Sequence, residues 1–587
     1  MVNDGNDGAF IVWHDFRSFT DYDVYIQHIN AAGVVTWTAN GIKVVNNPDH
    51  QTWPDVVNDG NGGAIVAWID QRSGLREIYI QRFDAAGNAL WNSNGLPVSV
   101  GGGNKTTLKM TKCDNGDVAI AWIDSRNSDY NIYAQRLDIN GNILWTANGV
   151  QVCAQPVFFS LTSPPGIVSD QNNGLLISWD DTRSGFGVYM QRLLSDGTVS
   201  WTTDGIAVTN TTALGQNMTA DGNGGAVVLW KDSRPGTPGL YAQKIDGSGN
   251  LLWTASGAAI CTFSSGQNKA KICNDGNNGC IATWIETRWN GSQWKDVLLT
   301  QRINASGIKQ WTTDGIWVDE DFSQYDFPQI IKDGSGGAII AYAKNVAGEN
   351  DIYAQHLSSA GALLWNAGGR IVSNAANYQS DPMIINISNG NSIVAWLDYR
   401  NGSQPGIFTS RILSNGALPV TLTEFYGQKH GSANDLYWST AYEQSNRGFD
   451  IERSADGMHF QSIGSIAGQI NSNSLQHYSF SDQQPFAGKN YYRLKQSDQD
   501  NRIQYSKIIL LQNNVIDRLT VFPIPANNFI TIQSSAENPI NITDATGRKI
   551  KAIYKPANSI SLDISKWPSG IYYCVCGNET VRFVKSD

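Results

Sequence analysis

A stretch of sequence running from Ala64 to Gly95 recurs eight times between residues 1 and 415, and this repetition constrains the fold more than any other feature. Each copy carries Trp-x-Asp-x-Arg or a variant of it, then Tyr-x-Gln-Arg, then Gly, Trp and Gly at nearly constant intervals. Length varies in the loop between the two halves. Such constancy over copies of about 54 residues indicates that one rigid supersecondary unit was duplicated.

Alternating side chains within the unit predict strands. Residues 64–70 read Ala-Ile-Val-Ala-Trp-Ile-Asp, and because both faces of this strand are apolar, neighbouring sheets must cover it on both sides. Another short run, 54–57, precedes it through an Asn-Asp-Gly-Asn-Gly-Gly turn. Runs at 78–83 and 89–91 follow it. We therefore predict four antiparallel strands per unit, the fourth being Ala89–Trp91.

Tandem four-stranded units of this length predict an all-β chain built on a β-propeller, in which each sheet stacks on the next. The first copy lacks an opening strand, because Met1 falls directly into a repeat, and the eighth, Asp381 to Leu413, lacks the Trp-containing strand. Two alternatives stay open: eight blades with two incomplete ends, or seven blades with a spare N-terminal hairpin. We also expect either a truncated chain or a wrongly assigned start, since no signal peptide precedes the first copy.

The second half of the unit, as in Tyr133-x-Gln-Arg-Leu-Asp-Ile-Asn-Gly-Asn-Ile-Leu-Trp145, resembles the tryptophan-docking motif of quinoprotein-type propellers. The resemblance covers residues 1 to about 415 and implies packing rather than chemistry. The adjacent cysteine pair of some quinoprotein members is missing, and we predict no cofactor. The residues expected to carry the packing of the repeat are Trp68, Asp70, Trp91, Trp122, Asp124 and Trp145.

Composition narrows the class of protein. A net charge of −10 with scattered basic residues argues against nucleic-acid binding. No run of 18 apolar residues is present, so we predict no membrane span. Charged residues are only 16% and aromatic residues reach 10%, which is typical of a secreted all-β chain, and we expect a monomer. The seven cysteines and seven histidines show no metal spacing, and we predict no metal. Cys273 and Cys280 flank a hairpin, which leaves open either a disulfide or two small buried residues.

The arginine of Trp-x-Asp-x-Arg recurs at the end of one strand in seven copies. The first interpretation is structural: the Asp accepts backbone N–H groups of the following turn while the Arg packs across the blade boundary, with an ion pair between them. The second is that these arginines ring a central pocket and bind an anion. The arginines concerned are Arg17, Arg72, Arg126, Arg183, Arg234, Arg288 and Arg400.

The sixth copy differs locally from the others. Its loop, Arg288 to Asp296, is the longest of its kind and carries Trp289 and Trp294. Extra aromatic rings on a loop offer flat apolar faces on which a sugar can stack. The alternative is that one of the two rings covers the edge of the blade.

Catalytic patterns are weaker. The sialidase signature Ser-x-Asp-x-Gly-x-Thr-Trp is absent, and no Ser/His/Asp arrangement can be assigned. The Asp-Gly-Asn-Gly-Gly turns lack the alternating carboxylates and the terminal Glu of a calcium loop. We therefore predict no catalytic residue in this chain.

The repeat stops near residue 415, and two smaller segments follow. Residues 419–513 contain about seven short alternating strands, which predicts an immunoglobulin-like or fibronectin type III-like sandwich. Four blocks of residues 517–587, among them Val521-Phe-Pro-Ile-Pro-Ala and Leu562-Asp-Ile-Ser-Lys-Trp-Pro-Ser-Gly, closely resemble the type A C-terminal sorting domain of type IX secretion. That resemblance implies an extracellular or cell-surface protein of a Bacteroidetes-type bacterium whose C-terminal domain is recognised by the outer-membrane translocon.

These observations predict a propeller at 1–415, a sandwich at 419–513 and an export domain at 517–587. The function we predict is surface adhesion or the binding of a polysaccharide or protein ligand. The alternative is a glycan-active hydrolase or lyase with its site on the propeller face or in a missing N-terminal part.

Overall fold

The computed structural model of the chain describes residues 1–157, 163–183, 185–209, 211–262, 266–319, 321, 323–402, 404–414, 416, 421–430, 433–472, 475–498, 503–513, 519–534, 538–554 and 559–587. Strands dominate these residues, and their helical element is a 3₁₀ turn at Ser388–Gly390. The all-β prediction is therefore confirmed. Among the described residues, no helix has the length and apolar character needed to cross a membrane.

Contacts divide the chain into two compact units, Met1–Pro419 and Val420–Asp587. The predicted boundaries after 415 and after 513 fall mostly at residues outside the described ranges, namely 415, 417–420 and 514–518. The two units are described separately below.

The first unit contains eight antiparallel sheets, in which each strand pairs with the next along the chain. Sheets 1 to 4 consist of β1 (Val2–Asn3), β2 (Ala9–Asp15), β3 (Asp23–Ile29) and β4 (Ile42–Lys43); β5 (Gln51–Asn58), β6 (Ala64–Asp70), β7 (Glu77–Phe83) and β8 (Leu96–Ser99); β9 (Lys105–Lys112), β10 (Val118–Asp124), β11 (Asn131–Leu137) and β12 (Val150–Cys153); and β13 (Gly166–Ser169), β14 (Leu175–Asp181), β15 (Gly187–Leu193) and β16 (Ile206–Thr209).

Sheets 5 to 8 repeat the same order. They consist of β17 (Ala213–Ala220), β18 (Ala226–Asp232), β19 (Gly239–Ile245) and β20 (Ala258–Cys261); β21 (Asn268–Asn274), β22 (Cys280–Trp289), β23 (Trp294–Ile303) and β24 (Ile316–Trp317); β25 (Tyr325–Lys332), β26 (Ala338–Val346), β27 (Glu349–Leu357) and β28 (Arg370–Ser373); and β29 (Gln379–Asn386), β30 (Ser392–Asp398) and β31 (Gly406–Ile412).

In sheets 2 to 4 every residue of the second strand is buried, on both faces, as the sequence predicts. In sheet 2, Ile65, Ala67 and Ile69 pack in a cluster with sheet 3. Val66 and Trp68, on the other face of the same strand, pack in a cluster with sheet 1. Period-2 alternation therefore sends successive side chains into two different interfaces. Consecutive sheets stack face to face, which gives the first unit a propeller-like order.

The prediction for the fourth strand is wrong in position. Residues 89–91 form no strand; Ala89 makes a single bridge to Phe83, and the fourth strand is β8, starting at Leu96. The reason lies in Gln81, whose side-chain oxygen accepts the backbone N–H of Trp91 at 3.1 Å. This bond holds the tryptophan segment beside β7 before the chain turns into β8.

The ends of the repeat also differ from expectation. The first copy does have an opening strand, the two-residue β1, which pairs Val2 with Phe10 and Asn3 with Ala9. Its shortness hid it from the sequence pattern. The eighth sheet has three strands among the described residues, as predicted.

Sheet 8 contacts sheet 1 in the same way that neighbouring sheets contact each other. The Asn58 side chain donates to the carbonyl of Asn3, and the Asn3 side chain donates to the carbonyl of Asn386 at 2.6 Å. The Arg411 guanidinium donates to the carbonyl of Ala31 at 3.0 Å. Apolar residues of β2 and β30, including Ile11 and Ile393, share one buried cluster. Sheet 8 therefore contacts sheet 1 through both hydrogen bonds and apolar packing.

The tryptophan of each second half docks on the following sheet. The Trp145 Nε1 donates to the Ser195 carbonyl of sheet 4 at 3.0 Å, and the indole lies over Gly197. A Cβ added to Gly197 would lie 2.8 Å from the ring, and its φ of +86° also favours glycine. The same donor–carbonyl contact joins Trp37 to Ala85, Trp201 to Gly247, Trp253 to Ala305 and Trp311 to Ser359.

The second unit contains two groups of strands. The first comprises β32 (Thr421–His430), β33 (Ala433–Ser454), β34 (Gln461–Ser472), β35 (Gln476–Asp482), β36 (Gly488–Asp498), β37 (Ile503–Tyr505) and β38 (Ile509–Asn513). The long β33 pairs with β32 and β35 through its first half and with β34 and β36 through its second half. The number of strands agrees with the seven predicted.

The last strands form a three-stranded and a four-stranded sheet over one core. They are β39 (Thr520–Phe522), β40 (Phe529–Gln533), β41 (Ile540–Asp544), β42 (Lys549–Ile553), β43 (Ser559–Asp563), β44 (Gly570–Cys576) and β45 (Glu579–Lys585). Ile530 and Ile532 of one sheet pack with Ile542 and Phe583 of the other. The alternating pattern of each strand is therefore resolved into one buried and one exposed face.

The possible disulfide between Cys273 and Cys280 is not formed. Register places Cys280 opposite Asn274 and Cys273 opposite Ile281, so the two cysteines are one position out of step and point to opposite faces. Each is buried in a different interface. The alternative of two small buried residues holds.

Replacing Gly197 by Ala tests the docking contact. The new Cβ would press on the Trp145 ring, so we expect an extra loss of about 1 to 3 kcal/mol in unfolding free energy. Gly222→Ala is the matched control, since Gly222 has a φ of +85° and nothing within 4 Å of its Cβ position. Urea denaturation of both variants separates contact from backbone strain. Equal losses in the two would contradict the docking role.

Candidate functional site

The Trp-x-Asp-x-Arg residues form one repeated hydrogen-bonded network at the end of each second strand. In sheet 2 the Asp70 carboxylate accepts the Trp68 Nε1 at 2.8 Å and the Arg72 Nη2 at 2.6 Å. The Arg72 guanidinium stacks on the Tyr79 ring at 3.8 Å and donates to the Asn94 carbonyl at 3.1 Å. The Arg72 guanidinium is therefore engaged by a carboxylate, a carbonyl and an aromatic ring of its own sheet.

The other copies repeat this geometry. The tryptophan-to-carboxylate distance is 2.8 to 3.0 Å in sheets 1 to 5 and in sheet 8. The arginine Cζ lies 3.7 to 4.1 Å from the aromatic centroid in the same sheets. The arginines ion-paired to their own carboxylates are Arg17, Arg72, Arg126, Arg183, Arg234, Arg288 and Arg400.

The network also joins neighbouring sheets. The Arg126 guanidinium donates to the Ser99 hydroxyl at the end of β8, and the Arg183 guanidinium contacts the Cys153 sulfur at the end of β12. The structure thus places the predicted arginines between sheets. The geometry fits the structural interpretation of the motif, with Arg packing across the boundary to the preceding sheet.

The seventh copy preserves the network with different residues. Lys344 stands where the other copies have Asp or Glu, and its ammonium group pairs with Asp319 at 2.8 Å and with Asp321 at 2.7 Å. Tyr342 takes the place of the tryptophan and donates to Asp319 at 3.2 Å. Burial alone would lower the pKa of Lys344, but the two carboxylates outweigh it and the net pKa is raised. The carboxylate has moved from one sheet to the end of the preceding one.

The network carboxylates of sheets 5 and 8, Asp232 and Asp398, have pKa values below the usual range. Burial raises the pKa of Asp232, but hydrogen bonds from Arg234, Thr211 and Trp230 outweigh it, and the net pKa lies below the usual range. The same balance lowers the pKa of Asp398 through Arg400 and Trp396. Charge-assisted hydrogen bonds thus decide the ionisation of these groups.

The Asp-Gly-Asn-Gly-Gly turns are closed by protein donors. Asp59 accepts the N–H groups of Asn61 and Gly63 at 2.8 Å and pairs with Arg82, also at 2.8 Å. The Arg82 side chain reaches the carbonyl of Ile139 in sheet 3 at 3.0 Å. In the part of the chain that the structure describes, no group of three or more His, Cys, Asp or Glu side chains could hold a metal ion.

Trp289 and Trp294 lie at the tip of the longest hairpin of the first unit. β22 and β23 have ten residues each, whereas the corresponding strands have seven in sheets 1 to 5 and 8. Trp289 and Trp294 are direct cross-strand partners, with ring centroids 5.8 Å apart and an interplanar angle of 64°. Their exposures are 53% and 60%. The prediction placed them on a loop, but they end two strands and are held by strand pairing.

A second group of exposed aromatic rings lies on sheets 1 and 2, where the sequence did not suggest a site. Phe16 and Tyr22 lie 4.9 Å apart at the corresponding hairpin of sheet 1, and Tyr22 also contacts His50. Trp53 contacts His14 and is 43% exposed. The signal available in the sequence was the aromatic-rich loop Phe16-Arg-Ser-Phe-Thr-Asp-Tyr22.

Comparisons with known proteins address the C-terminus directly. Residues 520–586 match the family described as "Secretion system C-terminal sorting domain". This supports the predicted type IX sorting domain and indicates a secreted or cell-surface protein. A comparison with curated proteins finds none that matches.

Several solved structures are similar at low levels. They include an endo-arabinase from Bacteroides thetaiotaomicron (12% identity, 42% of this chain and 92% of that one, TM-score 0.25). The polysaccharide lyase Uly1 shows 11% identity over 65% and 92% of the two chains, with a TM-score of 0.36. An exo-β-1,3-galactanase from Clostridium thermocellum shows 12% identity over 68% and 90%, with a TM-score of 0.25. Scores of this size carry no conclusion about activity.

Asp232→Asn tests the structural role of the network. The change leaves the Arg234 guanidinium, which is 14% exposed, without its counter-charge, and we expect a loss of about 3 kcal/mol in unfolding free energy at pH 7. Asp314→Asn is the control, because Asp314 is exposed. A loss no larger than that of the control would contradict the role assigned to the carboxylate.

The same pair of proteins predicts a dependence on pH. A carboxyl whose pKa is lowered by folding stabilises the folded state above its unfolded pKa of about 3.9, and that stability disappears as pH falls through the folded pKa. The difference in stability between the parent protein and Asp232→Asn should therefore be constant at pH 5 to 7 and shrink below about pH 4. Denaturation curves over this range measure it; a difference that grows in acid would contradict the sign.

Proposed function

We propose that this protein is a secreted or cell-surface binding protein whose first unit is an eight-bladed propeller that presents one face to a polysaccharide. Export by type IX secretion is supported by the match at residues 520–586. The observation that carries the binding proposal is the exposed pair Trp289 and Trp294 at the tip of the sheet 6 hairpin.

Eight blades are proposed from the contacts between sheets. Neighbouring sheets are joined by the same kinds of contact. Arg82 of sheet 2 donates to the carbonyl of Ile139 in sheet 3, and Arg411 of sheet 8 donates in the same way to the carbonyl of Ala31 in sheet 1. A spare N-terminal hairpin would leave the contact between Asn3 and Asn386 without a counterpart. We therefore favour eight over seven.

The tryptophan pair has the features of a sugar platform. Stacking on a sugar needs a large apolar ring that is exposed and rigid, and the two indoles are held in place by the pairing of β22 with β23. The rings meet at 64°, so they form a corner rather than one flat surface. A corner contacts two faces of a bent chain, which favours a polysaccharide over a flat protein surface.

We propose that the seven arginines support this face rather than bind ligand. Each guanidinium group is ion-paired with the carboxylate of its own motif, and in sheets 1 to 5 and 8 it also stacks on an aromatic ring. At Arg72, an anion would have to displace a fully buried carboxylate that accepts two guanidinium N–H groups. The anion-binding interpretation of this ring therefore receives no support from the geometry.

A second candidate function is glycan hydrolysis or lysis, and one observation favours it. Burial, helped by the charge of Glu349, raises the pKa of Asp351 to about 6. Asp351 lies on β27 of sheet 7, in the sheet that follows the tryptophan hairpin. A carboxyl group with a pKa near the working pH suits general acid catalysis. Turnover that is lost in Asp351→Asn, with binding retained, would establish this function.

Replacing Trp289 and Trp294 together by Ala tests the binding proposal. Loss of both rings should remove retention on the polysaccharide that the parent protein binds on a glycan array, because stacking on each ring supplies the affinity. Thermal stability should be unchanged, since both rings are more than half exposed.

Tyr426→Ala provides the control for this experiment. Tyr426 is 50% exposed and stacks on Tyr437 in the second unit. The Tyr426→Ala variant therefore loses an aromatic ring of comparable exposure that is distant in sequence from Trp289 and Trp294. Full retention by the double tryptophan variant, or equal loss in the Tyr426 variant, would refute the platform.

Deleting residues 520–586 tests the export proposal. In a host with a type IX system, the parent protein should appear on the cell surface or in the medium, and the deletion variant should remain inside the cell envelope. Fractionation with immunoblotting measures this. Surface exposure of the shortened chain at the parent level would show that the C-terminal domain is not the export signal.

A further inference from the structure

The first strands of six sheets share a local distortion. β5, β9, β17, β21, β25 and β29 each have a β-bulge where they pair with the second strand of their sheet. The residue at the start of each bulge has a positive φ of 43° to 71°. These residues are Trp53, Thr107, Gly215, Lys269, Phe327 and Asp381.

Packing does not account for the residues at this position. Glycine adopts positive φ without cost, yet five of the six are other residues, and Thr107 is β-branched. The repeated units agree with one another at the tryptophans, carboxylates and glycines that stack the sheets, but here they carry six different residues. Bulges that redirect side chains are found next to functional sites.

Three of these bulges, those at Gly215, Lys269 and Phe327, lie at a cavity of about 810 Å³ that is lined by residues of sheets 3 to 7. Its lining includes four lysines, Lys109, Lys231, Lys269 and Lys271, together with Phe327. Its volume is within the range of sites that hold small ligands.

Two of these lysines already have counter-charges, and two do not. Lys109 pairs with Asp55 at 3.5 Å, and Lys269 pairs with Asp326. Neither Lys231 nor Lys271 forms an ion pair in the described ranges. Burial, and then the charge of Lys109, lowers the pKa of Lys271.

The carboxylate in the cavity wall is already satisfied. Asp180 accepts the Ser163 hydroxyl at 2.7 Å and the N–H groups of Gly215 and Gln216 at 3.0 and 3.2 Å. Burial raises the pKa of Asp180 in spite of these donors. The Asp180 oxygen atoms accept backbone and hydroxyl donors rather than a lysine. The ammonium groups of Lys231 and Lys271 can therefore donate to a bound anion.

We infer that this cavity binds an acidic sugar unit of the polysaccharide through Lys271 and Lys231, with Phe327 contacting the sugar ring. The charged group is an oxyanion, either a uronic carboxylate or a sulfate ester. An ammonium group is a compact charge that accepts either geometry. This inference rests on the proposed polysaccharide function and names the chemical class of its ligand.

The cavity and the tryptophan pair lie at the same end of sheet 6. Lys271 is opposite Thr283, and Trp289 follows six residues later on β22. At about 3.4 Å per residue the distance along the strand is roughly 20 Å. One oligosaccharide of a few units can therefore contact both the indoles and the lysines.

Lys271→Gln tests the inference. Lys231→Gln is a second variant, and because the Lys231 side chain is exposed, its replacement should disturb folding less. The probes are an oligogalacturonate, a sulfated galactan oligosaccharide and a neutral oligosaccharide of equal length, each titrated by calorimetry at low salt. We expect about a tenfold or greater loss of affinity for one acidic probe in Lys271→Gln, with neutral binding unchanged. The acidic probe affected distinguishes carboxylate from sulfate.

Lys332→Gln is the matched control. Lys332 is exposed and ends β25, the first strand of sheet 7, five residues from the bulge at Phe327. It removes the same charge at the other end of the strand and should leave every affinity unchanged. Equal losses in Lys332→Gln and Lys271→Gln would overturn the inference, as would no binding of either acidic probe to the parent protein.

The two proposals fail in different ways. If the double tryptophan variant keeps its affinity but Lys271→Gln loses it for an acidic probe, the cavity holds the ligand without the indoles. If the neutral and acidic probes bind the parent protein equally and only the tryptophans matter, the platform stands and the acidic site is wrong.

Discussion

The stacking of one indole on the glycine of the next sheet is the contact on which the first unit depends. Trp145 lies on Gly197 and donates to the Ser195 carbonyl, so one side chain contributes apolar area, shape and a hydrogen bond to one interface. The tryptophan of the second strand, such as Trp122 in sheet 3, is buried in the interface and donates to the carboxylate of its own motif. Each sheet is thus held by its predecessor and its successor.

Hydrogen bonds within the Trp-x-Asp-x-Arg motif explain why charged residues occur in the interior of the stacked sheets. Asp70 and Asp124 are fully buried, yet each accepts an indole N–H and a guanidinium. The paired groups satisfy one another without water. The seventh sheet shows that the requirement is chemical rather than positional, since Asp319 supplies the same charge from the preceding sheet.

Much of this architecture could be predicted from the sequence. The doubly apolar strand 64–70, the turns and the constant glycine and tryptophan spacing predicted stacked four-stranded sheets, and the contacts of Trp68 and Gly197 have the expected packing role. The predicted position of the fourth strand was wrong because a hydrogen bond to the Gln81 side chain holds the Trp91 segment, and such a bond leaves no periodic pattern in the sequence. The opening strand at Val2 was too short to produce one.

The candidate site was less predictable for a physical reason. Trp289 and Trp294 were visible as extra aromatic residues, but their cross-strand pairing depends on a hairpin that could be read as a loop. The bulge residues, such as Thr107 and Lys269, differ between copies, so the repeat pattern does not identify them. Positions where the repeats disagree carry no packing signal, and that is where a binding surface can differ from its scaffold.

We propose that the eighth sheet closes the ring on the first. Asp7 and Ser388 lie on opposite sides of that junction, with the Ser388 hydroxyl 2.7 Å from the Asp7 carboxylate. The double variant Asp7→Cys, Ser388→Cys should form an intramolecular disulfide on mild oxidation, seen as a faster band on non-reducing gels and a higher midpoint of thermal unfolding. Crosslinks between chains only, or nine free thiols after oxidation (the seven of the parent protein and the two introduced), would contradict a closed ring.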